Sequence, residues 1–199
     1  MTFSPWQGDV EARALVQAGM AVLRRSTARN LTVADVLEEA GLSTRAFYRH
    51  FQSKDELILA VYQYDNRRSI DRLRTRIAAA DSTLDALERW VEASLALGFA
   101  PRQARRTTTL WREGGRIWAQ YPGEYKAIVE GLVAPLTQVL ERGRDDGTFL
   151  NADPHLDALT IHAVVWRLIE RKLGGDASLD LASATAYVLR FCLPVLTGP

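Results

Sequence analysis

The sequence predicts an all-helical protein on three observations. Apolar residues recur at spacings of three and four almost throughout, alternating strand patterns are scarce, and the periodic stretches are separated by proline, glycine and capping residues. Length and punctuation suggest two domains, a helix-turn-helix head over residues 1–52 and a larger helical part over 53–199.

Taken in order, Leu15, Val16, Gly19, Val22 and Leu23 form the first stripe, and a break is expected over Ser26–Asn30. Val33, Val36, Leu37 and Ala40 form the second, with Thr32 and Asp35 as a capping signal at its start and Gly41 as its stop. Ser43 caps a short third helix whose Phe47 and Phe51 lie one turn apart and face inward. Ser53 with Glu56 makes a capping box that opens a long fourth helix, running through Leu57, Val61, Ile70, Leu73 and Ile77 to about Ala80. Five more helices are expected at about 83–99, 102–119, 123–144, 154–173 and 178–196, punctuated by Pro101, Pro122, Gly147, Pro154 and Gly174. Gly114 and Gly115 mark either a turn inside the sixth helix or a packing contact, and Pro194 is expected to end the last.

Composition excludes several classes. With 47% hydrophobic and 25% charged residues the chain is neither disordered nor collagen-like. Its single cysteine, Cys192, precludes an intrachain disulfide, suits a reducing cytoplasm and reads as a buried structural thiol. Ser4, Pro5, Asp9 and Glu11 do not resemble a secretory leader, no apolar run approaches a membrane span, and a cytoplasmic location with no membrane partner is expected. Residues 1–80 carry 12 Lys and Arg against 9 Asp and Glu, and the remainder 13 against 15, so the small basic excess lies with the head.

The second and third helices, joined across Gly41 and Leu42, fit a helix-turn-helix. Such a motif places its second helix in the major groove while surrounding donors grip phosphates. Thr44, Arg45 and Tyr48 are the expected base readers, Arg45 as a bidentate fork to guanine O6 and N7. Tyr48, Arg49 and His50 suit phosphate oxygens, and Thr32, Ser43 and Lys54 lie at helix starts, where backbone N–H groups also attract an anion. From Thr32 to Tyr62 the run TVADVLEEAGLSTRAFYRHFQSKDELILAVY resembles the DNA-binding domain of the tetracycline-repressor (TetR) family. Thr32, Val36, Ala40, Gly41, Leu42, Ser43, Phe47, Tyr48, His50, Phe51, Lys54 and Leu57 stand at that family's signature positions. The resemblance implies three helices for DNA and six for ligand and dimerisation. Arg45 departs from it, occupying a position often small in the family, and is therefore expected to be a private determinant of specificity.

For the C-terminal half the resemblance implies a small-molecule pocket, and the candidate lining is Trp90, Trp111, Trp118, Tyr121, Tyr125, His162 and Trp166, edged by Arg112, Glu113 and Arg116. An aromatic lining with few polar groups suits a small apolar or aromatic effector; a tightly packed core is the competing reading. Leu159, Ala163, Ala184, Val188 and Phe191 on the last two helices are expected to meet a second copy of the chain as a homodimer. His50, His155 and His162 lack metal-ligand spacing, and the chain has no phosphate loop or nucleophile elbow, so neither metal, cofactor nor catalysis is expected. The expected function is a ligand-responsive repressor bound to a near-palindromic operator; the alternative is an activator or architectural dimer that senses nothing.

Overall fold

A computed structural model describes residues 8–25 and 31–198. Among them lie nine helices: α1 (Val10–Arg25), α2 (Val33–Ala40), α3 (Thr44–His50), α4 (Lys54–Ala78), α5 (Thr83–Phe99), α6 (Pro101–Gln120), α7 (Pro122–Asp145), α8 (Pro154–Leu173) and α9 (Leu181–Thr197). The break expected over Ser26–Asn30 and the positions Ser4 and Pro5 lie outside the described residues.

Local chemistry sets these limits. Thr32, Ser43, Ser82, Asp153 and Asp180 each accept a backbone N–H three residues on, satisfying a donor the helix leaves unpaired. Gly41 stops α2 with φ 63°, a left-handed conformation that disfavours a side chain. Ser53 Oγ accepts Glu56 N–H at 3.2 Å, while the Glu56 carboxylate reaches back to Gln52 N–H at 2.7 Å. The last helix corrects one expectation: α9 runs through Pro194 to Thr197. Proline costs one intrahelical bond there, and the final turn continues past it, with Gly198 N–H bonded to Pro194 C=O at 3.2 Å. Gly114 and Gly115 do not break α6, which is continuous through both.

Packing divides the chain into two compact units, residues 1–67 with 105–125, and residues 68–104 with 126–199. This division does not follow a cut after residue 52, because the first half of α4 and most of α6 pack with the head. In the first unit α1 packs on α2 and α3 around Leu15, Val16, Val36, Phe47, Leu57 and Val61, joined by Leu110 and Ile117 of α6. In the second, α5 packs on α8 and α9 around Leu87, Trp90, Leu95, Leu136, Val165 and Val188. Each such side chain taken fully out of water contributes about 1.5–3 kcal/mol before entropy is charged. Cys192 belongs to this core, and burial pushes its thiol up to about 11, which suits an inert structural thiol.

The end of α7 turns back through Phe149, whose N–H bonds Gly143 C=O at 2.8 Å and whose ring covers Gly143. A Cβ at Gly143 would overlap Phe149 Cδ2, and the fully buried ring has nowhere to retreat. Gly143→Ala is therefore expected to lower the urea unfolding free energy by roughly 1–3 kcal/mol, despite alanine's better helix propensity. A midpoint equal to or above wild type would contradict that packing.

Candidate DNA-reading face and effector site

The third helix buries Ala46 and Phe47 and turns Thr44, Arg45, Tyr48 and Arg49 outward, with Tyr48 62% exposed. Phe47 anchors it, its ring 5.2 Å edge-on from Tyr48 and 5.8 Å from Phe51. Arg45 is exposed, and no described residue engages its guanidinium.

Other expected contacts are partly committed within the chain. Ser43 Oγ caps α3, accepting Ala46 N–H at 3.2 Å. Thr32 Oγ1 accepts Asp35 N–H at 3.1 Å and donates to the Asp35 carboxylate at 2.6 Å. Arg49 Nη1 lies 2.9 Å from Glu11 Oε2, and His50 Nε2 lies 3.0 Å from the same oxygen and 3.6 Å from Asp9 Oδ1. With its side chain only 11% exposed, His50 fastens α3 to the start of α1. Asp9 in turn is held below the usual carboxylate range, first by the Ala12 N–H and further by His50 and Arg49. This acidic clamp was missed in the sequence because Asp9 and Glu11 lie about forty residues from their partners. Lys54 opens α4, half-buried.

A seam joins the first half of α4 to α6, running antiparallel. Arg116 Nη2 lies 2.5 Å from Asp55 Oδ1. The phenol of half-buried Tyr121 is raised first by burial and then by Glu56 and Asp55. Further along, Tyr62 donates its hydroxyl to Leu110 C=O and packs its ring against Trp118, centroids 4.4 Å apart and planes inclined by 60°. At the far end Arg106 Nη1 lies 3.3 Å from Asp65 Oδ1.

The expected effector lining divides between the two units. Trp111, Trp118, Tyr121 and Tyr125 belong to the first, where Trp118 and Tyr125 lie 5.0 Å apart and Trp111 is 42% exposed. Trp90, His162 and Trp166 belong to the second. Trp90 is fully buried, and its indole N–H has no acceptor among the described residues. Trp166 donates to Glu170 within α8 at 3.1 Å. Burial depresses His162 to about 4, so it stays neutral near neutrality. Arg112 is exposed, and the Glu113 side chain lies outside the described residues.

The expected dimer residues also separate. Ala184 and Val188 are fully buried in the chain's own core and cannot face a partner, which corrects that part of the reading. The apolar arc of α9 is wider than one face, and this half of it turns inward. The outward half carries Tyr187, Phe191 and Val195 at successive four-residue steps, 46%, 54% and 59% exposed. On α8, Ala163 is exposed, Leu159 half-buried and Leu156 60% exposed. Among the described residues there is no cluster able to hold a metal and no helix long and apolar enough to cross a membrane.

Comparison with known proteins agrees with this arrangement. Residues 15–61 match the family model described as bacterial regulatory proteins, tetR family. Over 195 residues the chain is 28% identical to the HTH-type transcriptional regulator BetI of Brucella suis, covering 94% of this chain and 91% of that one. A transcriptional regulator of Saccharomonospora viridis solved with choline shares the fold at a TM-score of 0.72 and 18% identity, over 94% of this chain and 96% of the other. The regulator FadR of Bacillus subtilis, solved with stearoyl-CoA, does so at 0.71 and 16%, over 92% and 98%.

His162 gives a pH dependence with a definite sign. Its folded value of about 4 lies below the ordinary 6.5, so the unfolded chain binds the proton more readily. The full contribution is present above pH 6.5 and is lost as pH falls toward 4. At pH 5 the loss is expected to be about 2 kcal/mol, and His162→Phe should abolish that part of the slope in urea titrations at pH 7 and pH 5. An unaltered slope would mean that His162 is solvated.

Proposed function

Because the chain belongs to the TetR family of transcriptional regulators, we propose that it acts as a homodimeric repressor, binding a near-palindromic operator and released from it by a small, mainly apolar effector. The observation that carries the reading is the outward face of α3, where Thr44, Arg45 and Tyr48 project from a helix capped by Ser43 and anchored by buried Phe47. Its N-terminal residues read base edges, with Arg45 on a guanine, and Arg49, Lys54 and the α2 start at Thr32 meet phosphates. His50 serves by holding α3 against Glu11.

Dimerisation uses the outward faces of α8 and α9, with Phe191, Tyr187, Val195, Ala163 and Leu159 meeting their copies across a two-fold axis. Two reading helices then address half-sites ~34–36 Å apart, one turn of DNA.

Release follows from the seam. Asp55 lies in the first turn of α4, next after α3, and α6 holds it through Arg116. An effector that binds against α6, among Trp111, Trp118 and Tyr125, favours a seam in which the head is displaced. Only a difference in its affinity for the two arrangements can drive release, on a scale of about 1–3 kcal/mol. That solved proteins of this fold hold choline or stearoyl-CoA supports a small-molecule role for the helical part.

Selection of bound sequences from random DNA supplies the operator. Against it, Arg45→Ala is expected to relax preference at one base pair, costing roughly 1–3 kcal/mol of discrimination, whereas Lys54→Ala weakens all sequences alike and reduces the salt slope. Operator binding indifferent to both substitutions would remove α3 as the reader. In sedimentation, Tyr187→Glu combined with Phe191→Glu should yield monomers that hold the operator poorly, and a surviving dimer would move the interface off α9.

A further inference from the structure

Arg106 is the least expected group in the first unit. Its side chain is only 14% exposed, and Asp65 Oδ1 approaches just one of its terminal nitrogens, Nη1, at 3.3 Å. Both Nε and Nη2 are buried and have no hydrogen-bond partner among the described residues. The N–H bonds of Nε and Nη2 lie in one plane and point the same way, the fork that a carboxylate fills with two parallel hydrogen bonds. A buried charged donor without an acceptor is costly, and a fold that keeps two of them on one edge has a use for that edge.

We propose that the effector carries a carboxylate, and that the Nε and Nη2 edge of Arg106 receives it. The apolar remainder of such a molecule matches what α6 offers beyond Arg106. Leu110 follows one turn on, and Tyr62 and Trp118 present aromatic surface along the same seam. Asp65 already neutralises much of the guanidinium charge, so recognition rests on the two-point fit rather than on a net positive field. The position also has a consequence for regulation. Arg106 and Arg116 are ten residues apart on one helix, ~15 Å along its axis, so the carboxylate would bind at one end of the seam whose other end holds Asp55 beside the reading head. This inference rests on the reading that an effector acts through α6, and its test separates the two.

The probes are hexanoate, octanoate, decanoate, phenylacetate and phenylpropionate, each beside its primary amide, titrated into the full chain by tryptophan fluorescence. At least one acid is expected to bind at least about tenfold more tightly than its amide, the scale set by exchanging a charge-assisted pair for a neutral one. Arg106→Gln should erase that preference. Arg106→Lys, which keeps the charge and loses the fork, should lose most of it while remaining folded. Asp65→Asn should tighten the acid and leave the amide unchanged, because it removes a like charge from beside the bound carboxylate. The inference is overturned if no acid binds wild type, if acid and amide bind alike, as they would where water completes the Arg106 edge, or if the preference survives in both Arg106 variants. A parallel operator titration distinguishes the failures. Acid binding without loss of operator affinity supports the site and removes the release reading; specific operator binding without acid binding removes the site and leaves the regulator reading standing.

Discussion

Tyr62 sits where α4 and α6 must stay together. Its hydroxyl is spent on the Leu110 carbonyl, its ring lies on Trp118, and Gly114 leaves it room by presenting no side chain. Ion pairs lie beyond it on both sides, Asp55 with Arg116 toward the head and Asp65 with Arg106 away from it. The pair at Arg116 is exposed on its cationic side and adds little stability by itself. Its value is in register: rings, hydroxyls and charges on two antiparallel helices agree on a single alignment, so α6 cannot slide without disturbing the first turn of α4. Since α3 ends at His50 and α4 begins at Lys54, that turn lies next to the reading helix.

The head is held from a second direction by the acidic start of α1. Glu11 receives both Arg49 and His50, and Asp9 caps α1 while approaching the same imidazole. The last turn of α3 is thereby fixed, leaving its first turn, with Thr44 and Arg45, free to meet DNA. Buried Phe47 sets the position of α3 and exposed Arg45 is the proposed reader, so position and specificity can vary independently.

Much of this was legible in the sequence, and for local reasons. Caps at Thr32, Ser43 and Ser53 act over three or four residues, as does the left-handed Gly41, so the limits of α2, α3 and α4 follow from side chains next to them. The outward donors of α3 were legible too, because a seven-residue helix with two buried residues has a single outward face. What could not be read depends on residues remote in the chain. Ala184 and Val188 look like Phe191 as members of an apolar stripe, and only packing against α5 decides which of them turns inward. Glu11 with His50 and Asp65 with Arg106 pair across roughly forty residues, where spacing carries no signal. The aromatic residues were expected to line a single pocket, and their division between two packing units follows from where α4 and α6 pass from one unit to the other.

The coupling between α6 and the head is tested most directly by two neighbouring glycines. A Cβ at Gly114 would stand 2.7 Å from Trp118 Nε1 and 2.8 Å from the Tyr62 hydroxyl, forcing the seam apart, whereas a Cβ at Gly115 meets nothing within 4 Å. Alanine favours the helix by about 1 kcal/mol at either site, so helix propensity cancels in the comparison. Operator titrations of Gly114→Ala and Gly115→Ala, made side by side, should give a loss of about fivefold or more for the first and wild-type affinity for the second. Equal affinities in the two variants would mean that the seam does not govern the reading head.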